Sequence, residues 1–268
     1  MQSFLEEFIV KKRLILAFLF VFCLLVTIPS VDAVYKAKKE GVEPRPVFAN
    51  AEEERAYDLR HGEIFTDGGY VKKGAWGKME GVVQAPPQVV WKLFLQANAW
   101  RQYRLPNLKD SRAVSAEVAN QSKGFKTVED LYALIGDRIF SEVEGQRIGG
   151  VWVNYTFQYY DLPWPVANKW VVLKNNNDET RSAEGVYRSE WVKVGGNVNT
   201  LNGTFTLAPF DGDRNLTHLV YNVESDPASH VPKFFIKWGV KKSLPAAMNI
   251  IRREARRLYR PAPLLKTQ

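Results

Sequence analysis

The chain has almost no sulfur chemistry. Its only cysteine, Cys23, sits in an apolar run near the N-terminus, so everything after residue 33 is without disulfides or thiolates. Histidine is equally scarce. His61, His218 and His230 stand far apart, and none has a ligand spacing such as HExxH, which removes the common zinc sites. There is no Gly-x-Ser-x-Gly elbow and no phosphate-cradling glycine loop, so serine-hydrolase and nucleotide chemistry find no motif here. Asp211 and Asp213 share the stretch DGDRN, which reads as a turn with too few further acids to hold calcium. No metal and no cofactor is expected.

What the chain does have is aromatic surface. Hydrophobic residues make up 46% and charged residues 25% of its 268 residues, an ordinary globular balance that excludes wholesale disorder. The 8 Trp, 11 Tyr and 15 Phe serve cross-strand packing and equally the lining of a large apolar pocket. The net charge is +8, and residues 1–33 carry as many acids as bases, so that charge belongs to the rest of the chain. A basic domain suits an anionic membrane surface.

The N-terminal segment bears on which partners are within reach. Lys11-Lys12-Arg13 precedes 15 uncharged residues, 14–28, and then Val31-Asp32-Ala33. This is the layout of a secretory signal peptide. The apolar run falls short of the roughly 17–25 residues of a spanning helix, although tilt and snorkelling lysines would let it stay as a membrane anchor. Both readings of 1–33 stand. In either case the main domain is expected outside the cytoplasm (in the periplasm of a bacterium), where nucleic acid is not a partner.

Residues 34–73 read as a basic tether, a short helix over 50–60 with an Asn cap, and a first hairpin arm turning at Asp67-Gly68-Gly69. A main strand is expected over 74–85. After Pro86-Pro87, the stretch PQVVWKLFLQANAW places Val90, Trp91, Phe94 and Leu95 on one face of a helix of about three turns. VWVNYTFQYY alternates, with Val151, Val153, Tyr155, Phe157 and Tyr159 on one face of a strand. KWVVLK, GVYRSEWVKV, GTFTLAPF and LTHLVYNVES follow as strands, with NNNDET, GGNVN and DGDRN between them as turns. Short connections of this kind imply an antiparallel meander. From residue 231 the period becomes 3.6. Phe234, Trp238, Leu244, Met248, Ile251, Ala255 and Leu258 form one stripe, broken by Pro245 into a short helix and a longer one from about Ser243. Residues 261–268 form a tail. The bases of this region, from Lys233 to Arg260, mostly fall off the stripe, on a solvated or membrane-facing side.

Several stretches resemble the START-like superfamily, also called SRPBCC. GVVQAPPQVVWKLFLQANAW is similar to its opening strand and helix. Near the end, Gly203, Tyr221, Asp226-Pro227, Val231-Pro232 and Lys242-Ser243-Leu244-Pro245 occupy places that the family marks. DLPWPVANKW resembles the family's PWP-V-x-x-R-D segment, but Asn168-Lys169-Trp170 stands where Arg-Asp is expected, so no head-group contact carries over. The resemblance covers about residues 74–260. It implies an α+β helix-grip fold, in which a curved antiparallel sheet wraps the C-terminal helix around an apolar cavity. It also implies a hydrophobic ligand such as a lipid, sterol, polyketide or quinone.

On that reading the expected cavity lining is Tyr155, Phe157, Tyr159, Trp170, Phe205, Leu207, Tyr221, Trp238, Met248 and Ile251, and a slip of one residue in strand phase would exchange whole sets. The preferred function is binding of a lipid without catalysis, with transport of it as a further expectation. An alternative is a cyclase, aromatase or hydrolase using Tyr155, Arg188, Glu190 or His218. A third reading is a closed core that serves as a partner-binding module. An exposed Arg188–Glu190 pair and a structural His218 are the plainer expectations for those residues.

Overall fold

The structure is a computed structural model. It describes residues 45–259 except 72–73, 142–143, 163–166 and 228–232, and of residues 144–148 and 233–240 the backbone alone. The N-terminal segment 1–33 and the Pro163-Trp164-Pro165 motif therefore lie outside the described residues.

Helix α1 (Ala51–Arg60) starts where Asn50 accepts a hydrogen bond from the Glu53 amide, and three glutamates fill its first turn. Strand β1 (Ile64–Val71) then runs straight through Asp67-Gly68-Gly69 and pairs with β2 (Gly74–Val83). The expected turn at those glycines does not occur, because both belong to the ladder. A Cβ on Gly69 would lie 2.8 Å from the Trp76 ring nitrogen, so this glycine makes room for an indole rather than reversing the chain. Strand β1, grouped with the tether in the sequence reading, is thus a member of the sheet.

Helix α2 (Pro87–Leu95) carries Pro87 in its first turn and passes into a 3₁₀ helix, Ala97–Tyr103. Strand β3 (Leu108–Val114) follows, then α3 (Ala116–Gln121) and α4 (Val128–Ile135). A capping box between Thr127 and Asp130 decides α4, a stretch that sequence left open between helix and strand. Then come β4 (Glu144–Ile148), β5 (Val151–Tyr160), β6 (Lys169–Asp178), β7 (Tyr187–Gly196), β8 (Thr200–Phe210) and β9 (Asp213–Asp226). Every pairing is antiparallel. The order is β1-β2-β9-β8-β7-β6-β5-β3, with β4 sharing the outer edge of β5 beside β3. The meander is as expected, except that Asn175, Asn176 and Asn177 continue β6 instead of turning.

Helix α5 (Lys233–Leu258) is one helix with Pro245 inside it. The proline removes one amide-to-carbonyl bond, to Lys241. That turn is exposed at Lys241 and Lys242, where water can take the freed carbonyl, so two helices do not form. The helix packs against β1, β2 and α2. Met248 and Ala255 are fully buried and Leu244 and Ile251 partly so, whereas Leu258, expected on the stripe, is exposed. The side chains of Phe234 and Trp238 lie outside the described residues.

Arg252 fastens this contact. Its guanidinium donates to the carbonyls of Val82 and Gly62, both at 2.8 Å. Arg253 donates to the Tyr103 carbonyl at 2.8 Å, and Arg253 and Arg257 both pair with the buried Glu254. Three arginines of the basic run thus help hold the domain together, although Arg253 and Arg257 stay exposed, as do Lys241, Lys242 and Arg256.

Candidate functional site

Antiparallel register sorts the sheet into two faces, since residues directly opposite one another share a side. The inner face carries Met79 and Val83 of β2, Leu219 and Tyr221 of β9, Phe205 and Leu207 of β8, Tyr187 and Trp191 of β7, Val171 and Leu173 of β6, and Trp152 of β5. These form one core with Trp91 and Leu93 of α2 and Met248 and Ala255 of α5. The aromatics interlock. Phe94 stacks on Phe205 at 4.1 Å, Trp91 on Tyr187 at 5.2 Å, and Trp191 lies 5.1 Å from Tyr221. Trp191 lies flat because Gly203 faces it across β8, where a Cβ would come within 2.3 Å of the indole.

The outer face belongs to other partners. Val114, Phe157, Trp170 and Val172 pack with Val118, Leu131 and Ile135 of α3 and α4, and Tyr155 and Tyr159 border this cluster. The Tyr132 ring meets Phe157 edge-on at 5.6 Å. Further along, Leu59 of α1 packs with Val82 and Phe210.

The ten expected lining residues are therefore divided. Phe205, Leu207, Tyr221, Met248 and Ile251 belong to the inner core. Tyr155, Phe157, Tyr159 and Trp170 face outward against α3 and α4, which corrects their placement. The alternation along β5 was read rightly, but its apolar face is covered by two helices inserted before it, and its inner face is the polar one. The Trp238 side chain lies outside the described residues. The acid–base candidates share this outer side. Arg188 and Glu190 form an exposed ion pair, as expected. His218 bonds Glu80 at 3.0 Å, next to the Arg55–Glu80 contact at 2.6 Å.

Glu80 is buried and its carboxyl still lies below the usual range. Desolvation would raise it, and the hydrogen bonds and charges of Arg55 and His218 more than offset that. A carboxyl depressed in the fold stabilises it above the unfolded value, near 4.5, and loses that contribution as pH falls through its folded value. Glu80→Gln is thus expected to be less stable than the parent at pH 6, and the gap should close as pH drops below 4.5. Urea unfolding across that range checks it, and a gap that does not depend on pH would mean Glu80 acts only by packing.

Part of the inner wall of β5 and β6 is polar and buried. Asn154 accepts from Asn177 at 3.1 Å, Ser189 donates to Asn177 at 2.8 Å, and Tyr160 donates to Gln158 at 2.5 Å. Tyr160 and Tyr221 are four strand spacings apart, roughly 19 Å along a flat sheet. Yet burial first, and then the charge Tyr221 would carry, push the Tyr160 phenol up, while burial pushes Tyr221 up to about 12. Both side chains pack against the inner core. Both tyrosines remain only half-buried.

No protein-family model and no curated protein matches the sequence. Solved structures do. A STAR-related lipid transfer protein fragment (residues 25–204) from Xanthomonas axonopodis superposes with a TM-score of 0.51 at 17% identity, over 72% of this chain and 93% of that one. Human StAR-related lipid transfer protein 5 matches with a TM-score of 0.48 at 8% identity, over 85% and 94%. The Zhui aromatase/cyclase from a Streptomyces species matches with a TM-score of 0.44 at 13% identity, over 74% and 97%. The antiparallel strand order, the long C-terminal helix and the first of these superpositions agree: the chain has an α+β helix-grip fold like that of the lipid transfer protein fragment.

Proposed function

We propose that this protein binds a hydrophobic ligand, a lipid, between the inner face of its sheet and α5, in a domain that is exported or anchored to a membrane by its N-terminal segment. The observation that carries the reading is the inner wall itself, where the half-buried Tyr160 and Tyr221 join one core with Phe205, Leu207, Leu219 and Met79. Burying an acyl chain there contributes about 0.8 kcal/mol per methylene, so such a wall suffices for binding without any reacting group. The cyclase alternative loses support because Tyr155, Arg188, Glu190 and His218 point away from this wall.

Native mass spectrometry of the full chain purified from its own host, followed by solvent extraction, tests the proposal. A stoichiometric lipid-like passenger is the expected result. A chain that emerges empty, and takes up no lipid from vesicles, would overturn it.

A further inference from the structure

The polar part of the inner wall is unevenly satisfied. Asn154, Asn177 and Ser189 close on one another. Toward the other end of β5 three side chains do not. Ser111 of β3 stands directly opposite Gln158, and Lys169 of β6 stands opposite Tyr160, one step along the same face. Cross-strand neighbours of this kind lie about 5 Å apart, and diagonal ones within about 8 Å.

All three are more than nine-tenths buried, at 3% (Ser111), 5% (Gln158) and 8% (Lys169) exposure. The Ser111 hydroxyl has no hydrogen-bond partner among the described residues. Gln158 spends its carbonyl oxygen on the Tyr160 hydroxyl, which leaves its amide N–H groups without an acceptor among the described residues. The Lys169 ammonium has no carboxylate among them either, and burial alone holds it below the usual lysine range. Buried donors are normally satisfied, and a buried charge normally paired. This corner therefore offers three kinds of donor, a hydroxyl, an amide and an ammonium, next to Val171 of the inner core.

We propose that Ser111, Gln158 and Lys169 form a subsite for the carboxylate end of a long-chain hydrophobic ligand. The charge argues for a carboxylate over a phosphate monoester, since one ammonium neutralises one monoanion and would leave a dianion in excess. The hydroxyl and the amide then supply donors to the same oxygens, and charge-assisted bonds of this kind are the strong ones. The inference rests on the lipid-binding reading above and specifies which end of the ligand lies where.

The test compares palmitate with hexadecanol, equal in chain length, as competitors for a fluorescent fatty-acid probe on the full chain. Palmitate is expected to bind tighter by about tenfold or more. Lys169→Met should remove that preference and leave hexadecanol unchanged, and Gln158→Leu should reduce it. Equal affinity of the two probes for the parent protein would overturn the subsite while leaving the lipid-binding reading intact, and this arm needs no variant to fold. Binding of neither probe would overturn both. Phosphatidic acid outcompeting palmitate would overturn the carboxylate assignment in favour of a phosphate.

Discussion

Phe157→Ala lowers the stability of the domain by about 3–5 kcal/mol and leaves ligand stoichiometry per folded molecule unchanged. Phe157 is completely buried, with Tyr132 edge-on against it and Trp170 in the same outer cluster. Truncating it removes packing between β5 and α4 and opens a cavity there. The inner wall, on the other side of the strand, is untouched. Urea unfolding measures the first effect, and native mass spectrometry of the remaining folded protein measures the second. Loss of ligand beyond the loss of folded protein would mean that Phe157 faces the ligand and that the β5 register is inverted. Phe205→Ala is the contrast, since Phe205 lies on the inner wall between Trp91 and Phe94 and its loss should weaken binding itself.

Met248→Asp is expected to prevent folding, with a loss above about 4 kcal/mol. The Met248 side chain is fully buried where α5 meets β2, and the approach is so close that a Cβ on Gly81 would come within 2.6 Å of the Met248 methyl group. An aspartate there would be an uncompensated charge in an apolar contact. Met248→Leu, similar in volume, should cost less than about 1.5 kcal/mol. Circular dichroism melting of the two variants decides the matter. A folded Met248→Asp protein with the parent melting temperature would mean that α5 is not docked on β2.

The sequence by itself determined the elements that local chemistry decides. The Asn50 cap marks α1, the prolines after Ala85 open α2, the alternation in VWVNYTFQYY makes β5 a strand, and the short links between β5 and β9 make an antiparallel meander. The stripe through Met248 and Ala255 identified the helix that the sheet grips. Those signals act within a few residues, so a linear reading sees them.

Only the tertiary structure decided which face of each strand looks inward. Period-two alternation fixes two sets of residues on β5 but is symmetric between them, and the larger apolar set is drawn to whichever partner covers it. Here α3 and α4 cover the outer face, so Tyr155, Phe157 and Tyr159 went outward, and the polar set of Asn154, Thr156 and Gln158 became the inner wall. The asparagines of β6 passed for a turn for the same reason. Their partners, Asn154 and Ser189, are 23 and 12 residues away from Asn177 in sequence, and they become neighbours only when three strands are laid side by side. The donor-rich corner at Ser111, Gln158 and Lys169 joins β3, β5 and β6, and no local pattern links those three residues before the sheet forms.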